Sequence, residues 1–489
     1  MFTLIIDSLL IFSIITPIIG FFTPKKNSCL ICGAISTIGY IISIAYLLNL
    51  LPQVLRNPIR IPAETSTVRT SIIIDAPGSL MSILALTLGL FATIYSMRFM
   101  ERDSGTPLYY SLLMAMMAGI IGTSYSGDLF TLFVFWELMC ITSYVLVGFR
   151  RNLKEPVEAA IKYMLMGGVG SATILFGMSL LYGLTGTLNL PQVALSLKAA
   201  GGGGPWLYAS LGMLITGFGI EAAIVPLHVW LPDAHGTAPS SISAILSGVL
   251  IELAVFVICK LLFFIFPAIG IGWMEFFAIF AVLNMMLGNI SALLQNDVKR
   301  MLAYSSIAHI GYILTGIAAG TKLGLTATLL HIFNHGLMKA LAFLCIGAII
   351  YRIGSKKLED IAGIGRKMPI TSTAFTIALL GLIGMPPLNG FISKLILFLS
   401  CLDSGMLWLG ILLIVFSAVS TGYYIRILKA LIAAPKSEKL DDVKEAPIPI
   451  LISICCLAFL VILLGIWPDP ILRFAEESSS WLMEVGRYA

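Results

Sequence analysis

The sequence predicts an all-α polytopic membrane protein with about 14 transmembrane helices. Of its 489 residues, 58% are hydrophobic and only 11% charged, and the mean hydropathy is +0.98; soluble domains carry about 25% charged residues. Apolar runs of about 20 residues, the length that crosses a bilayer, recur along the whole chain. Two of those runs are interrupted by proline in a pattern that suggests an internal repeat. A water-soluble enzyme, a disordered chain and a nucleic-acid-binding protein are excluded. The net charge of +5 is too mild to imply a polyanionic partner.

Taken in order, the apolar segments are 3–22, 29–51, 78–97, 107–126, 128–149, 160–183, 207–230, 241–266, 273–295, 301–320, 323–351, 370–402, 406–433 and 448–467. The first lacks the basic start and small-residue cleavage site of a signal peptide before Pro24-Lys25-Lys26, so it is read as a helix. With the N-terminus outside, the loops facing inward hold nineteen of the 30 lysines and arginines and those facing outward hold seven. Basic residues concentrate on the cytoplasmic side of membrane proteins, so both termini are predicted to face outward, in the cell membrane.

The seventh segment carries Pro226-Leu227-His228-Val229-Trp230-Leu231-Pro232-Asp233 and the twelfth carries Gly384-Met385-Pro386-Pro387-Leu388-Asn389-Gly390. Proline removes a backbone donor from a helix, and such breaks survive at membrane depth only where protein or water covers the freed backbone. The breaks lie five spans apart, an odd offset that reverses orientation, as in inverted repeats. The predicted organisation is residues 1–106 as three N-terminal helices, 107–266 as repeat one (helices 4–8), 267–433 as repeat two (helices 9–13), and 434–489 as helix 14 with a tail. Gly201–Gly204 before Pro205 reads as a flexible linker.

Glu137, Lys162, Glu221, Glu252, Lys260, Lys339 and Lys394 fall inside apolar segments. Each deep charge costs on the order of 2.5–3.5 kcal/mol on insertion scales, and such residues mark ion paths and proton relays. Lys162 and Lys260 lie near helix ends and are expected to reach the interface. His331, His335 and Lys339 recur at i, i+4 and i+8, on one face of a helix, and histidine titrates nearest neutral pH. The two histidines have zincin spacing, but Ile332 stands where the catalytic glutamate belongs. The eight cysteines sit in apolar runs; Cys29-Leu-Ile-Cys32 has no second pair, so no metal is expected. No phosphate-binding glycine loop or haem pattern is present in the sequence, so any redox centres, iron–sulfur or other, are expected in partner subunits and none in this chain.

Five blocks, in order, are similar to the antiporter-like subunits shared by respiratory complex I, membrane-bound hydrogenase and sulfane-reductase-type complexes, and multisubunit sodium/proton antiporters. They are Gly127-Asp128-Leu129-Phe130 leading to Phe135-Trp136-Glu137; Pro226 to His235; Asp297-Val298-Lys299-Arg300-Met301 running on to Ser305-Ser306; His331 to His335 to Lys339; and Gly390-Phe391-Ile392-Ser393-Lys394. The resemblance covers about residues 70–430. It implies fourteen core helices, two inverted five-helix repeats with broken seventh and twelfth spans, and a transverse proton path at the membrane midplane. By match, Glu137 is the fifth-span glutamate, His331, His335 and Lys339 the eleventh-span relay, and Lys394 the twelfth-span ionisable residue. Lys260 joins the candidate path, while Lys162, His228, Asp233 and His235 are supporting candidates.

Two positions depart. The resemblance puts lysine where this chain has Glu221 and again where it has Glu252, so the usual glutamate–lysine pair cannot form with Glu137. Close carboxylates cannot all ionise together, and repeat one is expected to pass a proton among Glu137, Glu221 and Glu252, with sodium as the second candidate ion. The function implied is an ion-translocating subunit of a redox-driven complex, with other antiporter-like or small helical membrane subunits as partners. The alternatives are a subunit of a standalone sodium/proton antiporter and a degenerate membrane scaffold.

Overall fold

Inside a bilayer every backbone N–H and C=O must be paired within the protein, which makes long apolar runs helical. The structure, a computed structural model, describes residues 3–64, 69–199, 204–265, 273–434 and 442–484. Helices α1 (Leu4–Phe22) and α2 (Lys25–Val54) lead into an antiparallel hairpin, β1 (Ile59–Glu64) and β2 (Arg69–Ile74), with Ile59 opposite Ile74. Then come α3 (Ala76–Phe99), α4 (Thr106–Tyr125), α5 (Leu129–Val147), α6 (Lys154–Thr185) and the short α7 (Leu190–Ala199). The seventh segment is split into α8 (Pro205–Glu221) and α9 (Leu231–Thr237).

The eighth combines α10 (Ser240–Ile245), a π-turn at Leu246–Leu250, α11 (Ile251–Cys259) and a second π-turn at Lys260–Ile265. The chain continues through α12 (Trp273–Leu293), α13 (Val298–Ala319), α14 (Lys322–Ile353), the split pair α15 (Pro369–Ile383) and α16 (Asn389–Asp403), α17 (Leu407–Ile432), α18 (Ile448–Ile466) and α19 (Asp469–Met483). Among the described residues, twelve helices are long and apolar enough to cross a membrane. The seventh and twelfth segments are the split ones, as the prolines predict. The hairpin, α7 and α19 were not foreseen, and Gly201–Gly203 of the expected linker lie outside the described residues.

Side-chain caps set several helix starts. Asp75 accepts from Gly78 N at 2.8 Å, Asp128 from Thr131 N at 2.7 Å, and Asp297 from Lys299 N and Arg300 N at 2.9 and 3.1 Å. Each satisfies donors that a helix N-terminus leaves without partners. Asp128 also accepts from Ser71 N at 2.7 Å, which fastens the hairpin to the start of α5.

The core is formed by segments that are apolar on every side. The eighth segment is buried throughout its hydrophobic window and α13 through nearly all of it, whereas only about a third of the windows of α6 and α17 is buried. Ile14, Leu165, Val169 and Ile432 are among many large apolar side chains left on the perimeter. A lipid solvent accounts for that pattern.

Candidate ion-translocation path

The breaks come first, because they free backbone groups in the interior. At the end of α8, Trp230 Nε1 donates to the Ile220 carbonyl at 2.8 Å, and Val225 N donates to Asn284 Oδ1 at 2.8 Å. At the end of α15, Lys394 on α16 reaches back: its Nζ donates to the Leu382 and Ile383 carbonyls at 2.8 and 3.0 Å and to Ser417 Oγ at 2.8 Å. Helix C-terminal carbonyls carry partial negative charge, so the broken helix supplies a counter-field for this cation. The ammonium also lies 4.8 Å from the centroid of the Tyr312 ring, and Lys394 borders a cavity of about 470 Å³ that includes Ser417 and Thr421.

From Lys394 inward the polar groups form a row. Ser393, its neighbour on α16, lies 2.8 Å from His331 Nδ1, and His331 Nε2 shares a hydrogen bond of 3.1 Å with His309 Nδ1. The direction of each bond is set by the tautomers. His309 Nε2 lies 3.5 Å from the Tyr424 hydroxyl. The His309 and His335 rings stack, with centroids 4.6 Å apart and planes inclined by 21°. His335 Nδ1 then contacts Glu252 Oε1, while His335 Nε2 and Glu252 Oε2 have no partner among the described residues. Lys339, one turn further along α14, donates to the Leu302 carbonyl at 2.8 Å and to Ser305 Oγ. All these ionisable groups are buried.

The predicted stripe His331–His335–Lys339 is therefore a shared face between two helices, with His309 of α13 bridging it. The sequence reading passed over His309. Its signal was a position four residues after Ser305 in a matched block, one turn along the same helix face.

The three carboxylates Glu137, Glu221 and Glu252 are arranged differently from the expectation that they act together. Glu137 on α5 is half-buried and accepts from Ser171 of α6. Glu221, buried at the end of α8, accepts from the Tyr163 hydroxyl, whose ring stacks on Trp230 at 4.0 Å. Glu252 does not join these two. It lies on α11, turned toward α14, because the fully buried eighth segment presents that face to His335. Lys260 was expected to reach the interface; it is buried instead, with Nζ donating to the Ser124 and Ser126 carbonyls at 2.7 and 3.3 Å. The freed carbonyls at the end of α4 solvate it more closely than the interface would.

Of the supporting candidates, Lys162 and Asp233 meet at a polar cavity of about 290 Å³ that also includes Glu155, Glu158, Arg300 and Lys356. Arg300 Nη1 and Lys162 Nζ donate to Asp233 at 2.7 and 3.2 Å. Partial burial pushes the Asp233 carboxyl up, yet these two cations outweigh it and hold the carboxyl below its ordinary range. His235 is fully buried, stacked on Phe343 at 5.1 Å, with neither ring nitrogen bonded to a partner among the described residues. His228 sits in the break, half-buried and with no hydrogen bond to the histidine row among the described residues.

A helical membrane protein with broken spans and a buried ionisable row defines a class, the ion-conducting polytopic subunits. Residues 126–421 match the family described as NADH:quinone oxidoreductase/Mrp antiporter, TM, and residues 61–110 match the one described as NADH-Ubiquinone oxidoreductase (complex I), chain 5 N-terminus. The chain belongs to this family of antiporter-like membrane subunits. It is 32% identical over 419 residues to F(420)H(2) dehydrogenase subunit N of Methanosarcina mazei, covering 84% of this chain and 85% of the relative. It is 34% identical over 421 residues to NADH-quinone oxidoreductase subunit N of Trichlorobacter lovleyi, again covering 84% and 85%. Among solved structures it is similar to a chain of the membrane-bound sulfane sulfur reductase, an archaeal respiratory membrane complex. There the TM-score is 0.91 and the identity 28%, with 100% of this chain and 98% of that one covered.

Proposed function

We infer that this chain is the ion-translocating, antiporter-like subunit of a redox-driven membrane complex of the complex I or membrane-bound hydrogenase type, with protons as the first candidate ion. One observation carries the reading: a buried row of titratable groups from Glu252 through His335, His309 and His331 to Ser393 and Lys394. Each imidazole binds a proton on one nitrogen and releases it from the other, so a hydrogen-bonded pair such as His309 and His331 transfers a proton by exchanging tautomers. Lys394, with a cavity beside it, is the exchange point at one end. Glu137, Glu221 and Tyr163 form a separate group in repeat one, and Lys260, Lys339, Lys162, His228, Asp233 and His235 support the path or its mouths.

The relatives named above are subunits of oxidoreductases, which supports the redox-driven assignment over a standalone antiporter. Redox centres, iron–sulfur or other, belong to the partner subunits in this reading. The fourteen spans fall into inverted repeats at 107–266 and 267–433, flanked by 1–106 and 434–489, with both termini on the outer side of the cell membrane.

The test is Lys394→Met in the assembled complex, reconstituted in proteoliposomes. An imposed potential drives proton uptake, followed with a pH-sensitive dye. Assembly should be unchanged and ion flux should fall to background. Wild-type flux in that variant would overturn the assignment.

A further inference from the structure

Glu137 and Glu221 have no lysine between them, and neither takes part in an ion pair among the described residues. What lies between them is a face of α6. Tyr163, Gly167 and Ser171 follow at i, i+4 and i+8, so they stack on one side of the helix, about 6 Å apart along its axis. The two ends of this face are occupied: Tyr163 donates to Glu221, and Ser171 donates to Glu137. At the middle level α5 supplies Tyr144, whose hydroxyl lies over Gly167 so closely that a Cβ there would overlap it. Tyr144 is only 9% exposed, and its hydroxyl has no hydrogen-bond partner among the described residues. Its ring meets that of Tyr163 edge-on at 4.6 Å, and Ser143 Oγ donates to the Tyr163 hydroxyl at 3.1 Å.

A buried hydroxyl without a partner is costly, about 1–3 kcal/mol in general, and calls for an occupant of the space around it. A group that passes a proton from one carboxyl to the other must accept one proton while it donates its own. A hydroxyl, with one donor and free acceptor lone pairs, does this without taking a net charge, whereas an ammonium has no lone pair to accept with.

We propose that the Tyr144 hydroxyl is the middle station of a hydroxyl relay, Glu137–Ser171–Tyr144–Tyr163–Glu221, that passes protons across repeat one, with water molecules filling the spaces between stations. It rests on the reading of this chain as an ion translocator. In one passage the O–H bond of a protonated Glu137 breaks and an O–H bond forms on Glu221. Each hydroxyl or water between them accepts one proton as it gives up its own, so no charge stays on the intermediates. The path runs equally in reverse. Gly167 is part of the device, because any larger residue would displace the tyrosine hydroxyl from the α6 face.

The experiment uses the assembled complex in proteoliposomes, with dye-detected proton uptake driven by an imposed potential. Tyr144→Phe keeps the ring and its packing on Tyr163 and removes one oxygen; flux should fall about tenfold or more with assembly unchanged. Gly167→Ala should slow flux similarly, and in the Tyr144→Phe background it should add nothing. The double variant Glu137→Gln/Tyr144→Phe should be no slower than Glu137→Gln alone, since members of one path are not additive, whereas a merely structural role would make the losses multiply. Wild-type flux in Tyr144→Phe while Lys394→Met abolishes flux would overturn the relay and leave the translocator reading intact. Wild-type flux in both would overturn the reading itself.

Discussion

His309 has both ring nitrogens engaged, one with His331 and the other with the Tyr424 hydroxyl, and its ring stacks on both histidines of α14. Replacing it with glutamine would keep a polar group of similar reach but remove the two-nitrogen exchange. His309→Gln should lower proton flux about a hundredfold, the low end of what a positioned acid–base group contributes. His228→Ala, not bonded to the row, should cost less than twofold; equal losses in the two variants would mean that the histidines are core polar groups. At this scale the sequence was legible where chemistry repeats along one helix, as for His331, His335 and Lys339. It was not legible where the chemistry crosses between helices. Nothing in the spacing of Glu252 distinguishes a face turned to Glu221 from one turned to His335, and the orientation of the buried eighth segment decides it. The same holds for Tyr144, whose role depends on which residue of α6 lacks a side chain.

At the scale of elements, the broken helices were readable from Pro226 and Pro232 and from Pro386 and Pro387, because two prolines close together remove more backbone donors than the single Pro17 that α1 carries without a break. Trp230 and Asn284, which satisfy freed groups of the first break, were not, because each arrives from a different turn or helix, whereas Lys394 lies just beyond the second break in the sequence itself. The hairpin escaped notice because its strands are short and lie in a loop; its β-branched Ile59, Ile61, Ile72, Ile73 and Ile74 were the available signal.

Asp233 on α9 ties the broken seventh segment to α6 through Lys162 and to α13 through Arg300. Its folded-state carboxyl is held below the ordinary range, so the unfolded chain takes up the proton first as pH falls. The contribution to stability is present above the unfolded value of about 3.9 and is lost as pH drops through the folded value. The thermal midpoint of the purified complex should exceed that of Asp233→Asn by a constant margin from about pH 8 to pH 5, and the margin should vanish in stronger acid. A margin independent of pH would assign the clamp to packing.

Gly390 makes a separate point about the second break. A Cβ there would overlap the Gly381 carbonyl of α15, and backbone cannot move aside as a flexible side chain does. Gly390→Ala should therefore lower the yield of assembled complex severalfold, read by size-exclusion chromatography, whereas Gly183→Ala, with open space around it, should leave it unchanged.

For the whole molecule, fold class was the most legible property, since 58% hydrophobic composition and repeated runs of bilayer length leave few alternatives. Partner identity is the least legible, because large exposed apolar side chains fit lipid and another membrane subunit equally well. Mass spectrometry of the co-purifying proteins separates the cases: hydrogenase-like or iron–sulfur subunits are expected, and small membrane subunits alone would favour a standalone antiporter. Cysteine labelling from either side of the membrane checks the predicted orientation, with Lys357→Cys reacting from inside and Arg473→Cys from outside.

The stacked contact between His335 and His309 has a consequence for energy conservation. A ring face offers neither a donor nor an acceptor, so the hydrogen-bonded row is interrupted there, with His335 Nε2 left over. On the proposed reading, an unbroken wire that joined the two sides of the membrane through this row would be a short circuit, discharging the gradient that translocation builds. On that reading the interruption works as insulation: protons would cross only when an imidazole turns or a water intervenes, and whatever controls that event would set the coupling. Damage at this point would thus show itself in two opposite ways, as a blocked pump when the contact widens and as a leak when it is permanently bridged.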